Sequence, residues 1–97
     1  PPDVQHGTQV LFFHLGENES MQALKLMQQL RAKGISCELY HEQAKFDKQF
    51  KYAERKNIGH VVMIGSEELA KGMCTLKNLS TGKQEQILQS ELLNRTF

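Results

Sequence analysis

The segment Gln9 to Leu15 (QVLFFHL) is an almost unbroken apolar run closed by Gly16. It constrains the fold more than any other stretch of the chain. A strand with one wet face alternates polar and apolar residues, whereas a strand apolar on both sides must be covered on both. A short, phenylalanine-rich run of this kind predicts a central parallel strand with helices packed above and below it.

The pattern that follows repeats this logic. Asn18 or Ser20 is placed to cap a helix whose Ala23, Leu26, Met27 and Leu30 form one apolar stripe, and Gly34 supplies its stop. Ile35, Cys37 and Leu39 alternate with polar residues, as expected of a half-exposed strand near a sheet edge. Lys45 to Asn57 predicts a second helix, and His60 to Ile64, closed by Gly65, a second buried strand. Ser66 with Glu67 and Glu68 reads as a cap and acidic first turn of a short helix ended by Gly72. Met73 to Leu79 and Lys83 to Leu88 read as strands joined through Ser80-Thr81-Gly82, followed by a helical turn or two over Ser90 to Arg95. This order predicts an α/β fold: a three-layer α/β/α sandwich around a five-stranded mixed, mostly parallel sheet ending in a β-hairpin.

At 97 residues the chain fits one domain. Pro1-Pro2-Asp3 has the look of a linker, so residues 1–8 are expected to be a linker remnant and residues 9–97 a domain belonging to a larger chain. No apolar run approaches the ~20 residues of a membrane span. Two cysteines far apart in sequence, Cys37 and Cys74, fit no disulfide framework or metal motif, which points to a reducing, cytoplasmic setting.

Little in the chain suggests catalysis. His6, His14, His41 and His60 are scattered, with no second ligand at metal spacing. The turn after the first strand reads Gly16-Glu17-Asn18-Glu19-Ser20, neither a dinucleotide fingerprint nor a phosphate loop. No catalytic residue and no metal site is therefore expected.

Charge is the informative quantity. Net charge is only +1, yet Lys45, Lys48, Lys51, Arg55 and Lys56 crowd one helix against Asp47 and Glu54, leaving the remainder net negative. On a helical wheel Phe46, Phe50, Ala53 and Asn57 should face the sheet, while Lys45, Lys48, Tyr52 and Lys56 share a flank with Gln49 beside them. Lysines that hold phosphates, an aromatic ring that stacks on a base and an amide that reads base edges suit a single-stranded RNA loop. From charge alone a solvated helix face is the commoner reading of the lysines, and packing on the core rim is the other reading of Tyr52. In open α/β sheets ligands gather at the carboxyl ends of the strands, and the lysine-rich helix begins there.

These residues also carry a family resemblance. Gly34-Ile35, the block Lys48-Gln49-Phe50-Lys51-Tyr52-Ala53, Val61 to Gly65 with Glu68-Leu69, and Lys77 to Gln84 together resemble the anticodon-binding domain shared by histidyl, prolyl, threonyl and glycyl tRNA synthetases, the histidyl group most of all. The resemblance spans roughly Gln9 to Leu93. It implies the five-stranded mixed sheet and, for the parent chain, a cytoplasmic homodimer that charges tRNA(His) using ATP and Mg2+. The family's catalytic motifs have no counterpart, so histidine, ATP and Mg2+ are expected on the catalytic domain of the same chain, and no cofactor here. Among threonyl and prolyl relatives an acidic residue contacts the anticodon near the position of Ala44; here Glu42 is the nearest acid. The expected RNA contacts are thus Glu42, Lys45, Lys48, Gln49, Lys51, Tyr52 and Lys56, with Lys77 and Gln84 on the hairpin. An edge-strand lysine that discourages sheet association is the other reading of Lys77. Two further readings of function stand beside this one: a synthetase-like regulator binding protein or another RNA, and a doubly wound small-molecule module using the edge at Gly16 and Gly65.

Overall fold

The computed structural model describes residues 7–97; the Pro1 to His6 part of the expected linker lies outside the described residues. The elements run β1 (Val10–Phe12), α1 (Glu17–Ala32), β2 (Cys37–Leu39), α2 (Phe46–Arg55), β3 (His60–Met63), α3 (Ser66–Lys71), β4 (Met73–Asn78), β5 (Gln84–Leu88) and α4 (Gln89–Leu92). The five strands form one sheet in the order β2-β1-β3-β4-β5. β1 pairs in parallel with β2 and β3, and β4 runs antiparallel to both β3 and β5. Only β4 therefore opposes the other four strands, so the sheet is mixed and mostly parallel, as expected.

The double coverage predicted for the first strand is present. Val10 and Phe12 point into one core with Ala23, Leu26, Met27 and Leu30 of α1, Ile64, and Leu92 of α4. Leu11 and Phe13 point into the other, with Tyr40, Ala53, Ile58, Val61 and Met63. α1 and α4 thus cover one face, where Leu69 of α3 also packs, and α2 alone supplies the helical cover of the other. Val10, Leu11 and Phe12 are all 0% exposed. The ladder is shorter than the apolar run because its flanks bond outside the strand pairs: Phe13 N–H still donates to Val62 at 2.9 Å, but His14 is engaged by a side chain.

Helix ends differ from the expectation in instructive ways. Neither Asn18 nor Ser20 caps α1; the helix starts earlier, at Glu17, with Gly16 before it at φ 153°. The positive φ is what favours glycine there; the Glu19 carboxylate that a Cβ would meet is the end of a flexible side chain and could swing aside. Ser66 is the first residue of α3 rather than its cap, and the Glu68 carboxylate accepts the Gly65 N–H at 2.8 Å. Gly34, at φ 87°, ends α1 as predicted. α2 ends instead on Asn57, held at φ 60° and exposed, so Asn57 does not face the sheet.

Cys37 and Cys74 are both free and buried in the α1-side core. They stand on β2 and β4, with β1 and β3 between them, some 14 Å at ordinary strand spacing and too far for a disulfide. Burial pushes the Cys74 thiol up to about 12, so it should resist alkylation in the folded state. No helix among the described residues is long and apolar enough to cross a membrane. Leu30 is 0% and Leu24 is 45% exposed on the same helix. Leu30→Ala should cost about 2–5 kcal/mol and Leu24→Ala about 0.5 kcal/mol or less, compared by urea unfolding; equal losses would contradict this packing of α1.

Candidate nucleic-acid interface

The expected contacts divide into four groups. Lys45, Lys48 and Lys51 come together with Glu42, Gln43, Ala44 and Asp47 around an open depression of about 480 Å³ beside the first turns of α2. Within it Lys48 and Glu42 form an exposed ion pair at 2.8 Å. The partnership lowers the Glu42 carboxyl and raises the Lys48 ammonium. Part of the positive charge is thereby answered within the protein, and Lys45 and Lys51 carry more of the field presented to a polyanion.

Lys77 and Gln84 form a second group. They are directly paired across β4 and β5 and line a groove of about 400 Å³ with Leu15, Phe46, Phe50, Met63, Glu68 and Thr75. β4 is an interior strand, so Lys77 is not the edge-guarding lysine of the other reading. Its ammonium sits 4.9 Å from the centre of the Phe50 ring, a cation–π contact that leaves the charge at the groove wall.

Gln49 and Tyr52 correct the expectation. Gln49 is 0% exposed, with Oε1 accepting from His14 N–H at 2.8 Å and Nε2 donating to the carbonyls of His14 and Ala44 at 3.1 and 2.8 Å. A buried amide so fully partnered cannot read a base. The wheel placed Ala53 and Phe50 correctly against the sheet but left Gln49 on the flank, whereas Gln49 and Ala53 are the buried residues of α2. Tyr52 packs edge-on against Tyr40 at 5.2 Å, and its hydroxyl donates to the Glu38 carboxylate. It belongs to the core rim and offers no open platform.

Lys56 makes the fourth group. It follows the last residue of α2, so about 16 Å of helix axis separates it from Lys45. There it lies over the Tyr52 ring at 5.7 Å and lines a hollow of about 580 Å³ with Asn57, Gly59, His60 and Phe97. This hollow is larger than the groove but lies at the amino ends of β1 and β3 and contains no other expected contact.

The residue missed by the pattern is Phe46. Expected to face the sheet, it is 49% exposed, because as the first residue of α2 it projects past the strand ends. Phe13 and Phe50 flank it at centroid distances of 5.8 and 6.5 Å. One face of the helix start is thus a propped aromatic ring, next in sequence to Lys45 on the depression and itself lining the groove. The signal available in the sequence was the place of Phe46 at the very start of a lysine-bearing helix, where a side chain can project past the sheet. Among the described residues no cluster of His, Cys, Asp or Glu is arranged to hold a metal ion.

A propped aromatic ring between two lysine-bearing hollows at the carboxyl ends of the strands is an arrangement that suits a single-stranded RNA-binding module. The Anticodon binding domain family model matches residues 9–95, and the chain belongs to that family. Its relatives narrow the likeness to one type of enzyme. The chain is 37% identical over 93 residues to a histidine–tRNA ligase of Bacteroides fragilis, covering 96% of this chain and 20% of that protein. It is 41% identical over 87 residues to that of Porphyromonas gingivalis, covering 90% and 19%. The crystal structure of histidyl-tRNA synthetase from Nostoc superposes with a TM-score of 0.86 at 30% identity, covering 91% of this chain and 21% of that one. The RNA binding domain of threonyl-tRNA synthetase from Cryptosporidium parvum shares the fold, with a TM-score of 0.80 at 18% identity, covering 90% and 22%. The chain spans about a fifth of the length of the curated relatives it matches.

The Glu38–Tyr52 contact yields a pH test. The hydrogen bond to Glu38, then burial, raises the phenol above its ordinary value. A raised folded-state pKa gives stability that is whole below about pH 10 and is lost as pH rises through the shifted value. Tyr52→Phe should cost about 0.5–1.5 kcal/mol at neutral pH, and the gap from wild type should narrow under alkali. Urea midpoints taken across that range check this; a gap independent of pH would contradict the contact.

Proposed function

We propose that this chain is the anticodon-binding domain of a histidine–tRNA ligase, docking the anticodon stem-loop of tRNA(His) around the first turn of α2. In this reading Lys45 and Lys51, with Lys48 once released from Glu42, hold phosphates on one side. Phe46 stacks on an unpaired base. Lys77, Gln84 and Thr75 face the neighbouring nucleotide in the groove. Catalysis belongs to the rest of the parent chain, where histidine, ATP and Mg2+ are brought together, in an enzyme working in the cytoplasm as a homodimer. The domain contributes affinity and orientation: it holds one end of the tRNA while the acceptor end is charged elsewhere.

The observation that carries this reading is the half-exposed Phe46 ring, flanked by Phe13 and Phe50 and set between the two hollows. Stacking on such a ring is worth about 1–3 kcal/mol per base and is insensitive to salt. Each phosphate-contacting lysine instead adds about 0.7 to the slope of log affinity against log salt for a single strand. The two kinds of contact are therefore separable. Titrating the domain with a tRNA(His) anticodon stem-loop at several salt concentrations, with a scrambled-loop hairpin as control, should give salt-dependent and loop-dependent binding. Phe46→Ala should weaken it by about ten-fold or more with the slope unchanged. Lys45→Ala and Lys77→Ala should each flatten the slope by about 0.7. Unaltered affinity and slope in all three variants would remove the RNA from this surface.

A further inference from the structure

Gln49 has no role in the surface just described, yet it is the most completely buried polar side chain of the domain. Its position follows from the sheet. Along the β1–β2 ladder, Val10 N–H donates to Ser36 and Tyr40 N–H donates to Phe12. The alternation of a parallel pair would next send His14 N–H to the Tyr40 carbonyl and residue 42 N–H to the His14 carbonyl. Neither bond is made. Gln49 Oε1 accepts from His14 N–H, and Gln49 Nε2 donates to the His14 carbonyl. A primary amide carries the same acceptor and donor as a peptide group, so this side chain stands in for the stretch of β2 that has left the sheet.

The substitution has two consequences. The chain after Tyr40 is free to turn outward, which exposes His41 and places Glu42 and Gln43 on the depression. The second Nε2 hydrogen is spent on the Ala44 carbonyl, the residue just before Lys45, and Lys45 caps α2 without any side-chain hydrogen bond. One amide therefore ties the start of α2 to the end of β1. It does so at the height where Phe46 leans on Phe13, the residue before His14.

We propose that Gln49 is a positioning residue for RNA binding: it touches no nucleotide but sets the loop 41–45 and the first turn of α2, and thereby the presentation of Lys45, Phe46 and Lys48. This inference rests on the RNA reading given above. A surface organised before the ligand arrives avoids the ordering cost on binding. Losing the clamp should weaken binding about ten-fold without altering the salt slope, because no phosphate contact is removed.

Two substitutions test this. Gln49→Met keeps the volume and removes all three hydrogen bonds. Gln49→Glu keeps the acceptor for His14 N–H but turns a buried carboxylate toward the His14 and Ala44 carbonyls, which favours its protonated form. Once protonated it can donate to one of them again. Stem-loop affinity of wild type and both variants is measured from about pH 8 down to about pH 5, at a temperature where circular dichroism shows each fully folded. His14 after β1, His41 in the loop, Glu42, Lys45, Asp47 and Lys48 are common to all three proteins, and the uncharged Gln49→Met ratio records their contribution as the baseline against which the Gln49→Glu ratio is read. The Gln49→Met ratio is expected near one tenth at every pH, and the Gln49→Glu ratio to rise toward one as pH falls. A purely structural role would leave the folded variants binding like wild type, and that result overturns the proposal. Absence of binding by the wild-type chain overturns the RNA reading itself, and this inference with it.

Discussion

The sealing of β1 from water on both faces is the constraint on which the rest of the domain depends. Its three ladder residues have no exposed surface, so every neighbouring element is obliged to cover one side or bond one edge. Two parallel partners satisfy its edges, and parallel partners demand crossovers. Those crossovers land on opposite faces: α1 carries the chain from β1 to β2, and α2 carries it from β2 back across β1 to β3. The strand ends at the switch point stay open as a result, and that opening is where the lysines, Phe46 and the hairpin meet. Site and core are two products of one buried strand.

The two faces are not equivalent. On the α1 side the helices contribute aliphatic side chains, Leu26, Met27, Leu30 and Leu92, packed around Phe12 of the sheet. The α2 side is spaced by rings: Phe13, Tyr40, Phe50 and Tyr52 lie between helix and sheet, meeting edge-on at 4.8 and 5.2 Å. Rings are long enough to hold α2 off the sheet at its start, leaving Phe46 partly in solvent. β4 and β5 extend past α2 on this face, and the groove is the uncovered remainder. Recognition surface arises here because one helix is asked to cover five strands.

The layer order and the central strand were legible because burial writes itself into hydrophobic spacing, and the stripe Ala23, Leu26, Met27 and Leu30 is buried as read. The site was only half legible. A helical wheel gives an angle but no depth along the axis, so Phe46 and Asn57, at the two ends of α2, were assigned to a face that only its middle can bury. The wheel also ranks glutamine by polarity, and nothing local to Gln49 announces that β2 ends early and leaves two peptide groups of β1 without partners. The lysines were visible as a cluster; that Glu42 would answer Lys48 depends on the loop conformation, which periodicity does not encode.

The two ends of the sheet have a mechanical relation. Gly7 and Phe97 line the same hollow at the amino ends of β1 and β3, and Gln9 Nε2 donates to the Phe97 carbonyl at 3.2 Å. The surface proposed to face RNA stands at the carboxyl ends of those strands. A pull on a loop held there and anchored near Gly7 would run lengthwise down β1, loading its hydrogen bonds to β2 and β3 together in shear, the direction in which parallel strands must yield all at once. Load applied between those two ends would be shared along the strand and not peel one bond at a time, as in a strap whose buckle and stitching lie on one line.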